Sequence, residues 1–303
     1  MKQNQFYPQV ELMLKCIPII DKERVFALKG GTAINLFVRD MPRLSVDIDL
    51  TYVPIENREM SLQKMNEALE RISAEIEKRV PGSKVRKTKH GHQIIKLVVA
   101  TTKTSIKIEP NAVIRGLTGA SKSMDLVKTA EDLFEMSVSI SVVPMADLYG
   151  GKICAALDRQ HPRDLFDIKI LLENEGLTDK IRKGFLVYLA SHDRPMHEVI
   201  APTKKNIKDI FDKEFKDMTE IPTTLDDLYQ VRNALIKQIH KDMTADEKEF
   251  LISLKSAEPN WGLLGIKGVE KLPAIQWKLQ NIKKMAVAKR NEQLTKLKKA
   301  LEI

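Results

Sequence analysis

The sequence predicts an α+β protein: a mixed sheet with flanking helices at the N-terminus, then an all-helical C-terminal domain. Three observations carry this reading. Strand-like segments cluster before about residue 120, amphipathic helical patterns dominate after it, and 303 residues is roughly two domain lengths. The division is placed after residue 130, giving domains 1–130 and 131–303.

The elements follow in order. Residues 6–24 carry Leu12, Cys16, Ile19 and Ile20 at helical spacing. Residues 25–28 form a short apolar strand that runs into Lys29-Gly30-Gly31-Thr32, and residues 33–37 resume a helical pattern. Residues 45–52 alternate polar and apolar, as a half-buried strand does. Leu62, Met65, Leu69, Ile72 and Ile76 predict a helix over 61–80 that stops at Pro81-Gly82. Residues 85–89, 93–100 and 104–109 read as successive antiparallel strands. Helices are predicted over 145–160, 162–174, 177–190, 206–215, 225–240 and 244–256. Thr244 and Glu247 form a capping-box pattern for the last of these. A long basic helix is predicted over 277–301.

Composition narrows the class. Apolar residues make up 43%, and only 13 Gly and 13 Pro are present, which excludes disordered and collagen-like chains. Two Cys, at 16 and 154, make neither a disulfide framework nor a zinc pair. No apolar stretch approaches the roughly 20 residues of a membrane helix. The first residues carry charges within their apolar part, unlike a signal peptide. The expectation is a cytoplasmic protein with no membrane association.

The net charge of +9 is unevenly placed. Residues 78–108 hold nine basic residues and no acidic one, and residues 266–303 carry net +7. The remainder is mildly acidic. Each basic segment is either a solvated face or a surface for a polyanion.

Ser45-Val46-Asp47-Ile48-Asp49-Leu50 is the most informative stretch. On a strand, Ser45, Asp47 and Asp49 share one face and Val46, Ile48 and Leu50 the other. Two carboxylates that close suit Mg2+, which takes a few carboxylates together with substrate phosphates. An acidic edge strand would have the same pattern. Gly30-Gly31-Thr32 opens a helix after a strand, an arrangement that offers backbone N–H groups to an anion and equally makes a plain capped turn. Glu109 offers a third carboxylate, as metal ligand or as partner to a nearby lysine. His90 and His92 flank Gly91 at a hairpin tip. His161 either caps a helix or stacks on a base.

These features together resemble the nucleotidyltransferase superfamily, whose signature is a Gly-Ser or Gly-Thr turn, a later D-x-D, and a third acid on another strand. Lys29-Gly30-Gly31-Thr32-Ala33 with Arg43-Leu44-Ser45-Val46-Asp47-Ile48-Asp49-Leu50 is similar to the AbiEii family of toxins. The similarity continues through Asp147, Lys152, Ala155 and Arg159, then Arg163-Asp164-Leu165-Phe166-Asp167-Ile168, and on to Pro273-Ala274 and Trp277-Lys278-Leu279. Read from the residues, Lys152 and Arg159 share a helix stripe, and Asp164 and Asp167 share a face of the next helix. Arg159, Arg163, Asp164 and Asp167 make either part of a functional cluster or an ion-pair network between two helices.

The resemblance implies transfer of a nucleoside monophosphate from an NTP, with pyrophosphate released. It implies two Mg2+ ions held by Asp47, Asp49 and Glu109. Gly30, Gly31, Thr32 and Ser45 would contact phosphate oxygens. Lys152 would bind the β- and γ-phosphates, with Asp164 as base or orienting group and Asp167 second. Arg43 is either a phosphate contact or a structural ion pair. The implied acceptor is RNA, the tRNA 3′ end in particular, and the implied partner is a cognate antitoxin, with or without direct binding. Two rival readings remain: transfer to a protein or small molecule, and a non-catalytic module that binds RNA or antitoxin.

Overall fold

Residues 4–303 are described by a computed structural model. They divide into two units: the chain through Pro144 together with Asp217–Pro222, and Met145–Lys216 with Thr223–Ile303.

The first unit is a mixed seven-stranded sheet with helices. Its elements are α1 (Tyr7–Asp21), β1 (Phe26–Lys29), α2 (Gly30–Ala33), β2 (Asp47–Tyr52), α3 (Arg58–Arg79), β3 (Lys84–His90), β4 (Gln93–Ala100), β5 (Ser105–Asn111), β6 (Lys122–Asp125), α4 (Lys128–Phe134) and β7 (Ser139–Val142). A π-helical turn, Ile34–Val38, extends α2. The strand order is β3-β4-β5-β2-β1-β7-β6. β2 lies antiparallel to β1 and parallel to β5, so the acidic strand is central.

Alternation along the strands separates the two sheet faces. Ile48 and Leu50 of β2, Leu97 and Val99 of β4 and Ile106 and Ile108 of β5 are buried. α1 packs on β5 and β7, and α3 packs on β4, bringing Met13, Ile17, Leu69 and Ile72 into the core. The other face carries Asp47 and Asp49. α3 starts three residues earlier than predicted because Asn57 caps it, accepting from the Met60 N–H at 2.8 Å. It ends before Pro81-Gly82, as predicted. The strands β6 and β7 were not predicted. Each has four residues, and β6 is a polar sheet edge with no apolar alternation to announce it.

The second unit is helical: α5 (Met145–Asp158), α6 (Pro162–Glu173), α7 (Asp179–Ser191), α8 (Met196–Ile200), α9 (Lys208–Glu214), α10 (Leu225–Asp242), α11 (Ala245–Lys255), α12 (Pro273–Lys284) and α13 (Val287–Ala300). α5 and α7 cross in near backbone contact. A Cβ on Gly150 would stand 2.5 Å from the Gly184 carbonyl carbon, and one on Gly184 would overlap the Ala146 carbonyl. The capping box at Thr244 is present: its hydroxyl accepts from the Glu247 N–H, and Glu247 accepts from the Thr244 N–H. Glu247 also binds Arg182, tying α11 to α7.

The predicted single helix over 277–301 is two helices. Met285 and Ala286 are extended, with ψ of 138° at each. Neither is Pro or Gly, so the break has no local signal. Its cause is packing. Buried residues stop at Ile282 and resume at Leu297, so no continuous apolar stripe holds one straight helix, and α13 turns to pack on α8 and α11. Among the described residues no helix is long and apolar enough to cross a membrane.

Candidate active site

The turn after β1 is built around Asp49. Gly30 has φ +75°, and a Cβ there would overlap Asp49 Oδ2. Only glycine allows the chain to turn there and still lie against that carboxylate. Gly31 makes a second close approach: its Cβ would stand 2.6 Å from Arg43 Nη2 and 3.0 Å from Ser45 Oγ. Thr32 is fully buried and its hydroxyl fastens the turn to β2. It donates to the Asp47 carbonyl at 2.5 Å and lies 3.0 Å from Ser45 Oγ. Arg43 is buried and donates to the Leu44 carbonyl at 2.8 Å. The fold therefore brings Gly30, Gly31, Thr32, Arg43, Ser45, Asp47 and Asp49 together, although 17 positions separate the first from Asp47. Thr32, Arg43 and Ser45 form the buried backing of the turn, while Asp47 and Asp49 are half-buried at its front.

Register places the third acid. Asp49 pairs with Glu109 on β5 and with Lys29 on β1, and Asp47 pairs with Lys107. Paired residues share a face, so Asp49 and Glu109 stand side by side on neighbouring strands, about 4.8 Å apart along the sheet. Glu109, however, is engaged by Lys96 of β4 at 2.6 Å. With that ion pair in place, no three carboxylate, His or Cys groups among the described residues form a metal-holding cluster. The sequence leaves Glu109 open as metal ligand or as partner to a nearby lysine, and the β4–β5 register selects Lys96 as that lysine.

Asp47 and Asp49 are thus the residues that could hold a hard cation. The donor set fits Mg2+: two carboxylates on one strand face, beside a glycine turn packed against Asp49. Mg2+ takes its remaining ligands from water and phosphate, so two protein carboxylates suffice when a triphosphate supplies the rest.

The second-half residues form a separate cluster within the helical unit. Lys152 on α5 bridges Asp164 at 3.0 Å and Asp167 at 2.9 Å, both on α6. All three are at least 94% buried. Arg159 forks onto Asp164 through Nε and Nη2 while its own side chain stays 63% exposed. Burial alone would raise the Asp164 carboxyl, but Lys152 and Arg159 outweigh it and hold the group well below the usual carboxylate range. The cluster therefore ties α5 to α6 through buried charge and presents one cation, Arg159, to solvent. Asp147 is buried in the first turn of α5. His161 caps α6: its Nδ1 accepts from the Arg163 N–H at 3.2 Å, and Nε2 faces Glu214 at 3.2 Å. His90 and His92 are exposed at the hairpin tip.

A central strand bearing two aspartates beside a close-packed glycine turn defines a nucleotidyltransferase fold, and a solved structure shares it. MenT4, a nucleotidyltransferase toxin from Mycobacterium tuberculosis H37Rv, superposes with a TM-score of 0.61 at 14% identity, over 93% of this chain and 95% of that one. The sequence match is more specific. The model of the AbiEii nucleotidyl transferase toxins of type IV toxin–antitoxin systems matches residues 12–281, and the chain belongs to that family. No curated protein matches the chain. Family membership makes the protein a nucleotidyltransferase toxin, with a nucleotide substrate and an antitoxin partner.

Proposed function

We propose that the protein transfers a nucleoside monophosphate from an NTP to a hydroxyl of RNA, the tRNA 3′ end, and so arrests translation and growth. The observation that carries the chemistry is the Asp47–Asp49 pair, set on one strand face against a Gly30 turn that only glycine can make. Two exposed basic surfaces support a polyanionic acceptor. Lys84, Arg86 and Lys89 are exposed on the edge strand β3, and Lys283, Lys284, Lys289, Lys298 and Lys299 are exposed on α12 and α13. The scarcity of aromatic residues, 5% of the chain, favours phosphate and shape contacts over extensive base stacking.

In this mechanism Asp47 and Asp49 would hold Mg2+ together with phosphate oxygens, and the cation would screen the triphosphate and lower the pKa of the attacking hydroxyl. Gly30 and Gly31 keep the backbone close enough for the turn to face the phosphates. Thr32, Ser45 and Arg43 hold that turn rigid against β2, and rigidity matters because phosphoryl transfer depends on positioning. Glu109, paired across the strands with Asp49 and held by Lys96, would be the further carboxylate available to the cation. In the helical unit we assign Lys152, Asp164 and Asp167 to the reaction on the family pattern, with Arg159 as the member exposed to an anionic substrate.

The test is incubation with total RNA, Mg2+ and each α-labelled NTP. Label in a tRNA-sized band that disappears with Asp49→Ala is the expected result. Label in protein alone moves the acceptor to a polypeptide. No label with any NTP, alongside salt-sensitive RNA retention, makes the protein a binding module.

A further inference from the structure

The helical unit contains a cleft of about 640 Å³ beside α10. It lies outside the two basic segments apparent in the sequence, apart from Glu302 on its wall. Ala201, Pro202 and Ile236 form its apolar floor, and Asn233, Lys237 and Lys241 line it from α10.

The cleft is held open by a buried polar staple. Gln160 and Arg232 are 99% and 94% buried. Arg232 donates Nε to Gln160 Oε1 at 2.9 Å, Nη1 to Asn233 Oδ1 at 2.9 Å, and Nη2 to the Pro202 carbonyl. Gln160 donates to the Thr203 carbonyl at 2.7 Å and accepts from the Lys205 N–H at 3.1 Å. Tyr229 completes the fastening, donating its hydroxyl to the Lys205 carbonyl at 3.3 Å. An irregular segment, residues 202–205, is thereby fastened to Gln160 and to α10.

Lys237 and Lys241 are the lysines of the cleft, both on α10, and Lys204 lies outside its lining. Lys204 stands 3.7 Å over the Tyr229 ring. Tyr229, Asn233, Lys237 and Lys241 recur every four residues, a row about 18 Å long at 1.5 Å per residue. Among the described residues Lys204, Lys237 and Lys241 have no carboxylate partner. Glu302 is the one acid on the wall.

We infer that this groove binds the phosphodiester backbone of single-stranded RNA, anchoring the acceptor on the helical unit. The inference rests on the RNA reading of the acceptor and adds a location to it. Two features favour a phosphate chain over an acidic peptide. The lysines are point charges strung along one rigid element, matching a regular run of charge. The apolar lining is limited to Ala201, Pro202 and Ile236, little surface for anchoring a peptide side chain.

The test is fluorescence anisotropy with a fluorescein-labelled 12-nucleotide oligouridylate, between 50 and 200 mM salt, on the full-length chain. Lys237→Glu/Lys241→Glu should weaken binding at least tenfold at 50 mM. It should also flatten the log–log salt slope by about 1.4, since each single-strand phosphate contact contributes about 0.7. Lys122→Glu/Lys180→Glu makes the same charge change at exposed lysines outside the groove and should cost less than threefold. Thermal melts of both variants should match the wild type, because all four lysines are exposed. Equal losses in the two variants would overturn the inference. So would tighter binding of a labelled oligoglutamate that the groove variant abolishes. A wild type that labels no RNA would sink the acceptor reading, whereas an unchanged anisotropy in the groove variant would sink the groove alone.

Discussion

Gly30→Ala probes the closest contact in the candidate site. Two penalties are built into this position. The first is backbone: at φ +75° a side chain costs about 1–2 kcal/mol. The second is collision. The new Cβ would sit 3.2 Å from both Cβ and Cγ of Asp49 and closer still to Oδ2, well inside the ~3.5 Å of an ordinary contact. Relief requires the Asp49 carboxylate to move by about 1 Å, and a misplacement of that size costs about 10²-fold in rate. Gly82→Ala separates the two penalties. Gly82 has φ +72° with nothing within 4 Å of its Cβ, so it carries the strain without the collision. Gly82→Ala should lose about 1–2 kcal/mol in urea unfolding, and Gly30→Ala at least as much. Only Gly30→Ala should lose about 10²-fold in transfer of label from α-labelled NTP, and only it should relieve growth arrest on induction. Equal transfer rates in the two variants would refute the placement of Asp49 at the reacting centre.

Four further outcomes are expected. Lys96→Met should lower the Mg2+ concentration needed for half-maximal transfer, because the cation competing for Glu109 is gone; an unchanged requirement would mean that Glu109 is no metal ligand. Asp164→Asn should destabilise the protein by about 3 kcal/mol at neutral pH, as breaking a buried ion pair does. The Asp164 carboxyl is depressed in the folded state, so its contribution is complete above the unfolded value of about 3.9 and vanishes as pH falls through the folded one. The gap between wild type and Asp164→Asn, followed by chemical denaturation, should therefore close in acid. Arg115 is 95% buried with Nε and Nη1 lacking any acceptor, and Arg115→Met should raise stability by about 1–2 kcal/mol in the same assay. Lys278 donates to the carbonyls of His192 and Arg194, and burial pushes its ammonium down to about 8. The unfolded chain then holds this proton more tightly, so between about pH 8 and 10.4 wild-type stability should rise relative to Lys278→Met.

Much of the acidic strand was legible because a strand has a period of two. Ser45 to Leu50 alternates, so Asp47 and Asp49 had to share a face wherever the strand lay. The stop at Pro81-Gly82 and the Thr244–Glu247 box were legible for a similar reason, since each is a local bonding pattern completed within a few residues. The partners of the charged groups were not. Lys96 meets Glu109 only because β4 and β5 pair in one register, and nothing near either residue marks it. The resemblance casts Lys152 as a phosphate-binding cation; the packing of α5 on α6 buries it between two aspartates. The break at Met285 and Ala286 is likewise a compromise between two packing surfaces rather than a local preference.

By itself, then, the sequence determined the family, the order of the elements and the face on which the two central aspartates lie. These follow from spacing, and spacing is carried by the chain. The tertiary structure alone decided which cation holds which acid, that Thr32 and Ser45 brace the glycine turn, and that residues 202–205 run beside α10. Gln160 and Arg232 make that last arrangement across 72 positions of sequence. Such pairings depend on which surfaces exclude water together, and only the packed fold settles that.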